Sequence, residues 1–442
     1  MTLSEYVESI KNKSIAVLGI GISNEPLIRL LLTAGCNVTA CDKRSLPELG
    51  MKALELINAG AKLKLGEDYL ENLDQDILFR TPGLMPFDIH PVKPDAQITS
   101  EMELFFKLCP CKTVAITGSD GKTTTSSIIA ALLKEAGYCV HLGGNIGKPL
   151  LCEVPLMKKD DIAVLELSSF QLHSMQCSPD VAVITNISPN HLDKHKDYED
   201  YINAKKQIFL KQKEDGVLVL NADDEIVSGF GGNRFFSGQK EVDGAYVKEG
   251  KLYRGGRYLL DASDVFIPGT HNLLNFAAAF AATEGLVPDE ICIKVAKEFK
   301  GVEHRLERVR ELNGITFIND SIGSSPSRTI AGLHAMRKKP IVILGGYDKK
   351  IPFDELGREL IANAKKAVIT GATAQKIAAA IDAAGHFDYV LEEDFDRAVR
   401  KAYEIAEEGD IVLFSPACAS FDRFKNFEER GKYFKKLVTE LP

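Results

Sequence analysis

A glycine-rich turn followed by a lysine and a threonine is the stretch of this sequence best suited to hold phosphate. It runs Thr117-Gly-Ser-Asp-Gly-Lys-Thr123, after a β-branched run and before an apolar helical pattern. The backbone N–H groups of such a turn and the positive end of the helix dipole point at one place, where an anion can bind. The lysine can reach the terminal phosphates of a nucleotide, and the threonine hydroxyl can ligate Mg²⁺. The stretch predicts a nucleotide site formed by Gly118, Gly121, Lys122 and Thr123.

The turn is a shortened form of the phosphate-loop pattern. The full pattern has a glycine five positions before Gly121, and this sequence has Ile116 there. An ordinary strand-to-helix turn that happens to contain a lysine is the alternative interpretation. Phosphate binding is favoured because Gly-Lys-Thr falls at the start of the predicted helix, where the mechanism needs it.

Polar residues at other predicted strand ends can complete a magnesium site with Thr123. Glu166 ends a buried strand, where a carboxylate is costly unless it meets a cation. His191 follows another strand, but imidazole is an unusual Mg²⁺ ligand, so its residue type alone favours a helix-capping or core histidine. Lys205 lies on a predicted helix, and its residue type alone favours a solvated surface lysine.

The N-terminal residues predict a second nucleotide-like site. A strand from Lys13 leads into Gly19-Ile-Gly-Ile-Ser23 and a helix, and the next strand ends in Asp42-Lys43-Arg44, about where a ribose contact is needed. Asn24 replaces the third glycine of the dinucleotide pattern, so a plain βα turn is the alternative. Thr81-Pro-Gly83 follows a further strand of the same predicted sheet.

Several loops near the C-terminus predict a binding site for a small acid. Arg305 supplies a fixed cation at a change of pattern, and arginine forks onto phosphate or carboxylate. Three loops follow strands of one predicted sheet and offer hydroxyls, a lysine and aromatic faces: 319–325, 345–350 and 415–422. For each loop taken alone, an ordinary βα turn is the alternative.

The elements that must position these residues predict an α/β protein of three α/β domains. We expect an N-terminal Rossmann-like domain over 1–110, a central P-loop ATPase-like domain over 111–302 and a C-terminal Rossmann-like domain over 303–442. In the central domain a parallel sheet is joined by a small antiparallel sheet, because residues 231–268 carry many glycines and short alternating runs. Three units of about 150 residues are of ordinary domain size.

Composition excludes several classes of protein. A net charge of −8 argues against nucleic acid or anionic lipid as the main partner, and no apolar run reaches a membrane-spanning length. The N-terminus lacks the basic and apolar regions of a signal peptide. Nine cysteines show no repeating spacing, so we expect reduced thiols in a cytoplasmic protein. Separately, we expect the protein to be a monomer.

With these motifs assembled, the chain resembles the Mur ligases, the ATP-dependent amide-forming family of peptidoglycan synthesis. The resemblance covers nearly the whole chain. Its sharpest parts are the phosphate turn, Gly144-Asn-Ile-Gly147, Leu165-Glu-Leu-Ser-Ser-Phe-Gln-Leu172, His304-Arg305, Asn319-Asp-Ser321 and the stretch from Ser415 to Gly431. The last stretch indicates the member that adds D-glutamate.

The resemblance implies a role for each candidate residue. It implies an ATP site that also takes in Asn275, Arg305 and Asp320, and Mg²⁺, in two ions, at Thr123, Glu166, His191 and a carbamylated Lys205. It implies catalytic roles for Lys122, Lys205, His191 and Arg305. The UDP-linked substrate would meet Ile22, Ser23, Asp42, Lys43, Arg44, Gly83 and Asn145. D-glutamate would meet Ser324, Lys349, Ser420, Phe421 and Phe427.

The implied reaction joins D-glutamate to UDP-N-acetylmuramoyl-L-alanine through an acyl phosphate. Another Mur-type ligase with a different amino acid, a P-loop kinase or ATPase, and a binding protein without activity are the alternatives. Two residues depart from the family pattern. Asp120 stands where the family has asparagine, and we expect it to point away from the phosphates. Ile322 stands where the family has lysine, and Arg328 or Lys350 can substitute for that cation.

Overall fold

The protein is described by a computed structural model that covers residues 1–191, 194–267, 269–349 and 351–442. These residues form two compact units, 1–299 and 300–442. Their strands form sheets of five, nine and six strands, all flanked by helices. None of the helices in the described ranges is long and apolar enough to cross a membrane.

The first sheet is parallel, in the order β3-β2-β1-β4-β5. Its strands are β1 (Ser14–Leu18), β2 (Asn37–Asp42), β3 (Lys62–Leu65), β4 (Ile77–Arg80) and β5 (Gln97–Ser100), with helices α1 (Leu3–Ile10), α2 (Glu25–Thr33), α3 (Leu46–Leu49), α4 (Met51–Asn58) and α5 (Glu101–Leu108). The predicted βαβ opening is present. Pro26 lies in the first turn of α2, where the missing N–H leaves no helical bond unmade.

The second sheet has the order β14-β13-β12-β11-β10-β9-β6-β8-β7. Its strands are β6 (Lys112–Thr117), β7 (Val140–Gly144), β8 (Ile162–Glu166), β9 (Val181–Ile184), β10 (Val217–Asn221), β11 (Arg234–Ser237), β12 (Gly244–Lys248), β13 (Lys251–Arg254) and β14 (Arg257–Asp261). Strands β6 to β12 pair in parallel, and β12 to β14 pair antiparallel. The predicted antiparallel strands therefore extend the parallel ones in one mixed sheet.

Six helices flank this sheet: α6 (Lys122–Glu135), α7 (Ser169–Leu172), α8 (Tyr198–Lys206), α9 (Glu225–Ser228), α10 (Thr270–Ala282) and α11 (Asp289–Glu298). The alanine-rich helix α10 begins at Thr270 and ends at Ala282. Gly269, with φ 108°, makes the turn into it. Gly285 has φ 83° and lies in the turn that follows.

The third sheet has the order β15-β16-β20-β17-β18-β19 and is parallel except for β15. Its strands are β15 (Glu307–Leu312), β16 (Ile315–Asn319), β17 (Ile341–Leu344), β18 (Lys366–Ile369), β19 (Tyr389–Leu391) and β20 (Ile411–Phe414). Its helices are α12 (Pro326–His334), α13 (Asp354–Asn363), α14 (Ala374–Ala384), α15 (Phe395–Glu404) and α16 (Phe427–Thr439). The terminal helix α16 begins at Phe427 because Asn426 caps it by accepting from the Glu429 N–H.

Candidate functional site

The turn between β6 and α6 has the backbone of an anion-binding loop. Gly121, with φ 79°, immediately precedes the first helical residue, Lys122, and Gly118 has φ 149°. A Cβ on Gly118 would lie 1.9 Å from Thr185 Oγ1, which is far inside contact distance. Only glycine fits there, since a side chain would displace the loop from the neighbouring strand.

The loop is held in place by residues that follow strand β9. Asn186 Oδ1 accepts from the Asp120 N–H at 2.9 Å, and Thr185 Oγ1 donates to the Asp120 carbonyl at 2.6 Å. The Ser119 hydroxyl donates to the Ser188 carbonyl at 3.0 Å. Asp120 itself is exposed. These bonds fix the loop before any ligand binds, so little reorganisation is needed to receive an anion.

Two lysines meet inside this loop. Lys122 Nζ and Lys205 Nζ both donate to the Gly118 carbonyl, at 2.8 and 2.7 Å. Lys205 is 1% exposed, and its Nζ lies 4.7 Å from the centre of the Tyr201 ring, so the surface-lysine interpretation is wrong. Burial, together with the charge of Lys122, lowers the pKa of Lys205 well below its usual value. The fold therefore favours the uncharged form of Lys205 more than water does.

Glu166 offers a buried carboxylate oxygen that could bind a cation. It ends β8 and is 2% exposed, and its Oε1 accepts from Asn145 Nδ2 at 2.8 Å. Among the described residues, Glu166 Oε2 has no hydrogen-bond partner, although it is buried. A buried carboxylate oxygen without a donor is costly. The residue fits Mg²⁺, a hard cation that takes oxygen ligands.

His191 and Thr123 lie at the edges of this group. His191 is exposed in the loop after β9, has φ 55°, and its ring lies 5.1 Å from that of Phe170. The core interpretation of this histidine is therefore wrong. Thr123 is half-buried in the first turn of α6. Residues 192 and 193 lie outside the described ranges.

Asn275, on α10, contacts the helix that follows the loop. Its Oδ1 accepts from Thr125 Oγ1 at 3.2 Å, and it would lie 2.6 Å from a Cβ on Gly121. Asn275 is buried. The structure thus brings Gly121, Thr125 and Asn275 together, although they are about 150 positions apart in sequence.

In the first sheet, Asp42 organises the turn predicted to bind the UDP end of the substrate. Its oxygens accept from the Ile20 N–H at 2.7 Å and from Arg44 Nε at 2.9 Å. Burial alone would raise the pKa of this carboxyl, but the hydrogen bonds from Arg44 and Ile20 hold it at about 2. Of the other residues predicted for this site, Ile22, Lys43 and Gly83 are exposed and Ser23 is half-buried.

Sequence reasoning missed Arg80, which ends β4 and is 1% exposed. Its guanidinium donates to the carbonyls of Leu84 and Phe170, both at 2.9 Å, and to Ser174 Oγ at 2.8 Å. Burial lowers its pKa to about 10. Arg80 lines a cavity between the first and second sheets, together with Ser23, Glu101, Gly144 and Gln171. A charged residue at the end of an apolar strand, the pattern that drew attention to Glu166, could have indicated it.

In the second unit, Asp320 lies directly after β16. Its Oδ2 accepts from Ser415 Oγ at 2.7 Å and its Oδ1 from the Leu306 N–H at 3.2 Å. Burial raises the pKa of Asp320 to about 6, although Ser415, Leu306 and the nearby arginines oppose the change. Arg305 is exposed next to this carboxyl.

The loops predicted to bind an acid meet at one edge of the third sheet. Lys349 Nζ donates to the Ser324 carbonyl at 3.1 Å, and the Tyr347 and Phe421 rings lie 5.9 Å apart. Phe421 is 64% exposed, whereas Ser420 is buried and Phe427 half-buried. Burial, then the charges of Arg328 and Arg430, lowers the pKa of Lys349.

Arg430, also missed in the sequence, ties these loops together. It is buried and donates to the carbonyls of Ser321, Cys418 and Ala419 at 2.8 to 3.0 Å. At Ile322, Arg328 Nη1 donates to the backbone carbonyl at 3.2 Å. Arg328 therefore contacts the backbone of the residue where the family pattern has lysine, and its substitution for that lysine stays a prediction. Lys350 lies outside the described residues.

The second unit also carries His304, which is 2% exposed and has φ 66°. Its Nδ1 lies 2.9 Å from Asn319 Nδ2, and burial lowers its pKa. A Cβ on Gly431 would lie 2.2 Å from this nitrogen. The histidine packs the first predicted motif of this unit against the start of α16.

Comparison with known proteins identifies the family. A model of the Mur ligase middle domain matches residues 116–283, and a model of the Mur ligase glutamate ligase domain matches residues 304–418. Together these ranges span more than half of the sequence. The chain belongs to the Mur ligase family, and the resemblance drawn from its motifs is confirmed.

Relatives along the full length share one name, UDP-N-acetylmuramoylalanine–D-glutamate ligase. The protein from Acetivibrio thermocellus is 48% identical over 99% of both chains. Those from Clostridium novyi and Clostridium botulinum are 46% and 45% identical over at least 99% of each chain.

Solved structures share the fold at lower identity. UDP-N-acetylmuramate-alanine ligase MurC from Thermotoga maritima has a TM-score of 0.58 and 19% identity, covering 97% of this chain and 99% of that one. MurF ligase from the same organism, in complex with ADP, has a TM-score of 0.56 and 20% identity over 98% and 97%. The predicted α/β fold class is confirmed.

Proposed function

We propose that this protein is an ATP-dependent ligase that adds D-glutamate to UDP-N-acetylmuramoyl-L-alanine in peptidoglycan precursor synthesis. The full-length identity of 45 to 48% to proteins of that name carries this proposal. We further propose three domains, over 1–110, 111–302 and 303–442, that receive the UDP-sugar, ATP and the amino acid. The chain acts as a monomer in the cytoplasm.

The reaction has two steps. The γ-phosphoryl of ATP passes to the L-alanyl carboxylate, which gives an acyl phosphate and ADP. The amine of D-glutamate then attacks the acyl carbon, loses a proton, and inorganic phosphate leaves. Lys122 and Arg305 bind the phosphoryl oxygens as charge develops on them. The loop from Gly118 to Gly121, with Asn275 and Asp320, holds the nucleotide.

Thr123, Glu166, His191 and Lys205 would hold Mg²⁺. When bound, the ions neutralise phosphate charge and draw electron density from the transferred phosphoryl. The buried, partner-free Oε2 of Glu166 supports this assignment. Lys205 contributes as a carbamate: its neutral amine adds to CO₂ and loses a proton, which turns the side chain into an anionic oxygen ligand. Its low pKa supports this step.

Ile22, Ser23, Asp42, Lys43, Arg44 and Gly83 bind the UDP end, and Asn145 lies by the sugar. Ser324, Lys349, Ser420, Phe421 and Phe427 bind D-glutamate, with Lys349 paired to a carboxylate. The donor contact between Lys349 and Ser324 supports a shared pocket.

The test is phosphate release with ATP, UDP-N-acetylmuramoyl-L-alanine and a panel of amino acids. We expect release that depends on D-glutamate. Release dependent on another amino acid would indicate a different Mur-type ligase. Release without an amino acid would indicate a kinase or ATPase. Nucleotide binding with no release would indicate a binding protein.

A further inference from the structure

A chain of hydrogen bonds lies beside the group formed by Glu166, His191 and Lys205. Ser169 Oγ is 2.9 Å from His195 Nε2, His195 Nδ1 is 2.8 Å from Asp200 Oδ2, and Asp200 Oδ1 is 2.9 Å from His173 Nε2. We call His173, Asp200 and His195 the His–Asp–His bridge. The His195 side chain is fully buried.

The bridge contacts all three segments that carry the metal candidates. Ser169 follows Glu166 by three positions, Asp200 lies on α8 with Lys205, and the His195 N–H donates to the His191 carbonyl at 3.1 Å. The spacing of those segments is therefore set partly by the bridge.

Aromatic packing holds the bridge rigid. The His195 ring stacks on Phe170 at 5.3 Å and meets the edge of Tyr201 at 5.2 Å. Phe170 also contacts the His191 ring, and the Tyr201 hydroxyl lies 2.9 Å from Ser119 Oγ in the phosphate loop. A displacement of His195 would thus be felt both at His191 and at the loop.

The order Ser169, His195, Asp200 has the form of a nucleophilic triad. Two features exclude that role. Ser169 is 2% exposed, so a substrate cannot reach its hydroxyl, and Asp200 is divided between two imidazoles. The arrangement instead holds the three segments in fixed positions.

We propose that His173, His195 and Asp200 are positioning residues that hold Glu166, His191 and Lys205 at the spacing needed to share a divalent cation. The inference rests on the metal set of the proposed function. Groups that orient metal ligands typically change metal affinity about 10- to 100-fold when they are replaced.

The test is Mn²⁺ binding to the full chain with ADP present, measured by the electron paramagnetic resonance of free Mn²⁺. We expect Asp200→Asn to bind Mn²⁺ at least about tenfold more weakly, with a smaller loss of metal-free ADP affinity. His195→Gln, which keeps a donor towards Ser169 but loses the one to Asp200, should weaken binding similarly. His195→Asn, which keeps a donor towards Asp200, should retain most of the wild-type affinity for Mn²⁺.

Asp197→Ala is the matched control. Asp197 caps α8 by accepting from the Asp200 N–H at 2.8 Å and has no part in the bridge, so its loss lowers stability without lowering Mn²⁺ affinity. Equal losses in Asp197→Ala and Asp200→Asn would overturn the proposal, as would Asp200→Asn binding like the wild type. If Asp200→Asn does not fold, His173→Asn replaces it with the same expected loss. A wild-type chain that binds no Mn²⁺ overturns the metal set, and the bridge with it.

Discussion

Lys122 and Lys205 donate to one carbonyl oxygen, that of Gly118. Two full positive charges at this spacing repel each other, and one of the amines is almost entirely removed from water. Burial first, and then the charge of Lys122, lower the pKa of Lys205. A shifted pKa in the folded state has consequences for stability that can be measured separately from activity.

Lys205→Met should stabilise the fold while abolishing phosphate release. Because the pKa of Lys205 is lower in the folded state, the unfolded chain binds more protons between the two pKa values, and the free energy of unfolding rises with pH up to the usual lysine value of 10.5. Methionine removes this cost, so we expect a gain of about 1–3 kcal/mol at pH 7 and a weaker rise between pH 7 and 9. Urea unfolding measures both; Lys206→Met, one residue along α8, should show neither effect.

Gly118→Ala should destroy nucleotide binding. The new methyl group would meet Thr185 Oγ1 at 1.9 Å, so the loop must move away from β9. Gly137→Ala is the control, because Gly137 also has positive φ, 92°, but nothing lies within 4 Å of a Cβ there. We expect the control to lose about 1 kcal/mol of stability and keep its ATP affinity in calorimetric titration. Equal ATP affinities in the two variants would contradict the loop assignment.

Asp320→Asn should flatten the acid side of the stability profile. The folded pKa of about 6 lies above the usual 3.8, so the folded state holds the proton more tightly. The contribution of Asp320 to the free energy of unfolding is therefore greatest below about pH 4, and it falls as pH rises from about 4 to 6. Removing the carboxyl removes that fall. Denaturant melts at half-unit intervals would reveal it, with Asp388→Asn, an exposed carboxyl, as the control that keeps the wild-type profile.

Lys349→Met should raise the KM for D-glutamate. We expect an increase of at least about tenfold, from the loss of a charge-assisted bond to a carboxylate, with the KM for ATP within about twofold of wild type. Lys376→Met is the matched variant, because Lys376 pairs with Asp348 in the same loop region but is 63% exposed. Steady-state phosphate release separates the two constants. A larger effect on ATP than on D-glutamate would place Lys349 with the nucleotide instead.

Local patterns predicted the elements well where the determinants are local. The strand, turn and helix around Gly121 follow from glycine placement, and the βαβ opening follows from alternating apolar runs. The start of the terminal helix is set by Asn426, whose side chain accepts from the Glu429 N–H. The antiparallel strands were predicted, but pairing of β11 with β12 makes them part of the large sheet.

The site was less predictable where burial decides the chemistry. Lys205 has the sequence context of a surface lysine, and only packing of α8 against the phosphate loop buries it and lowers its pKa. Arg80 and Arg430 were missed because their partners are carbonyl oxygens of distant segments, which no side-chain pattern encodes. Residues whose predicted role depends on their own type, such as the lysine after a glycine turn, can be singled out from the sequence.

Arg80 also limits how parts of this chain can be exchanged with those of a relative. Its donors on β4 are matched to the carbonyl of Phe170 and the hydroxyl of Ser174, which belong to the second sheet's loops. A chimera that takes residues 1–110 from a protein lacking this arginine would leave those half-buried acceptors without their donor. A chimera of the first sheet should therefore fold well only when an arginine is kept at position 80.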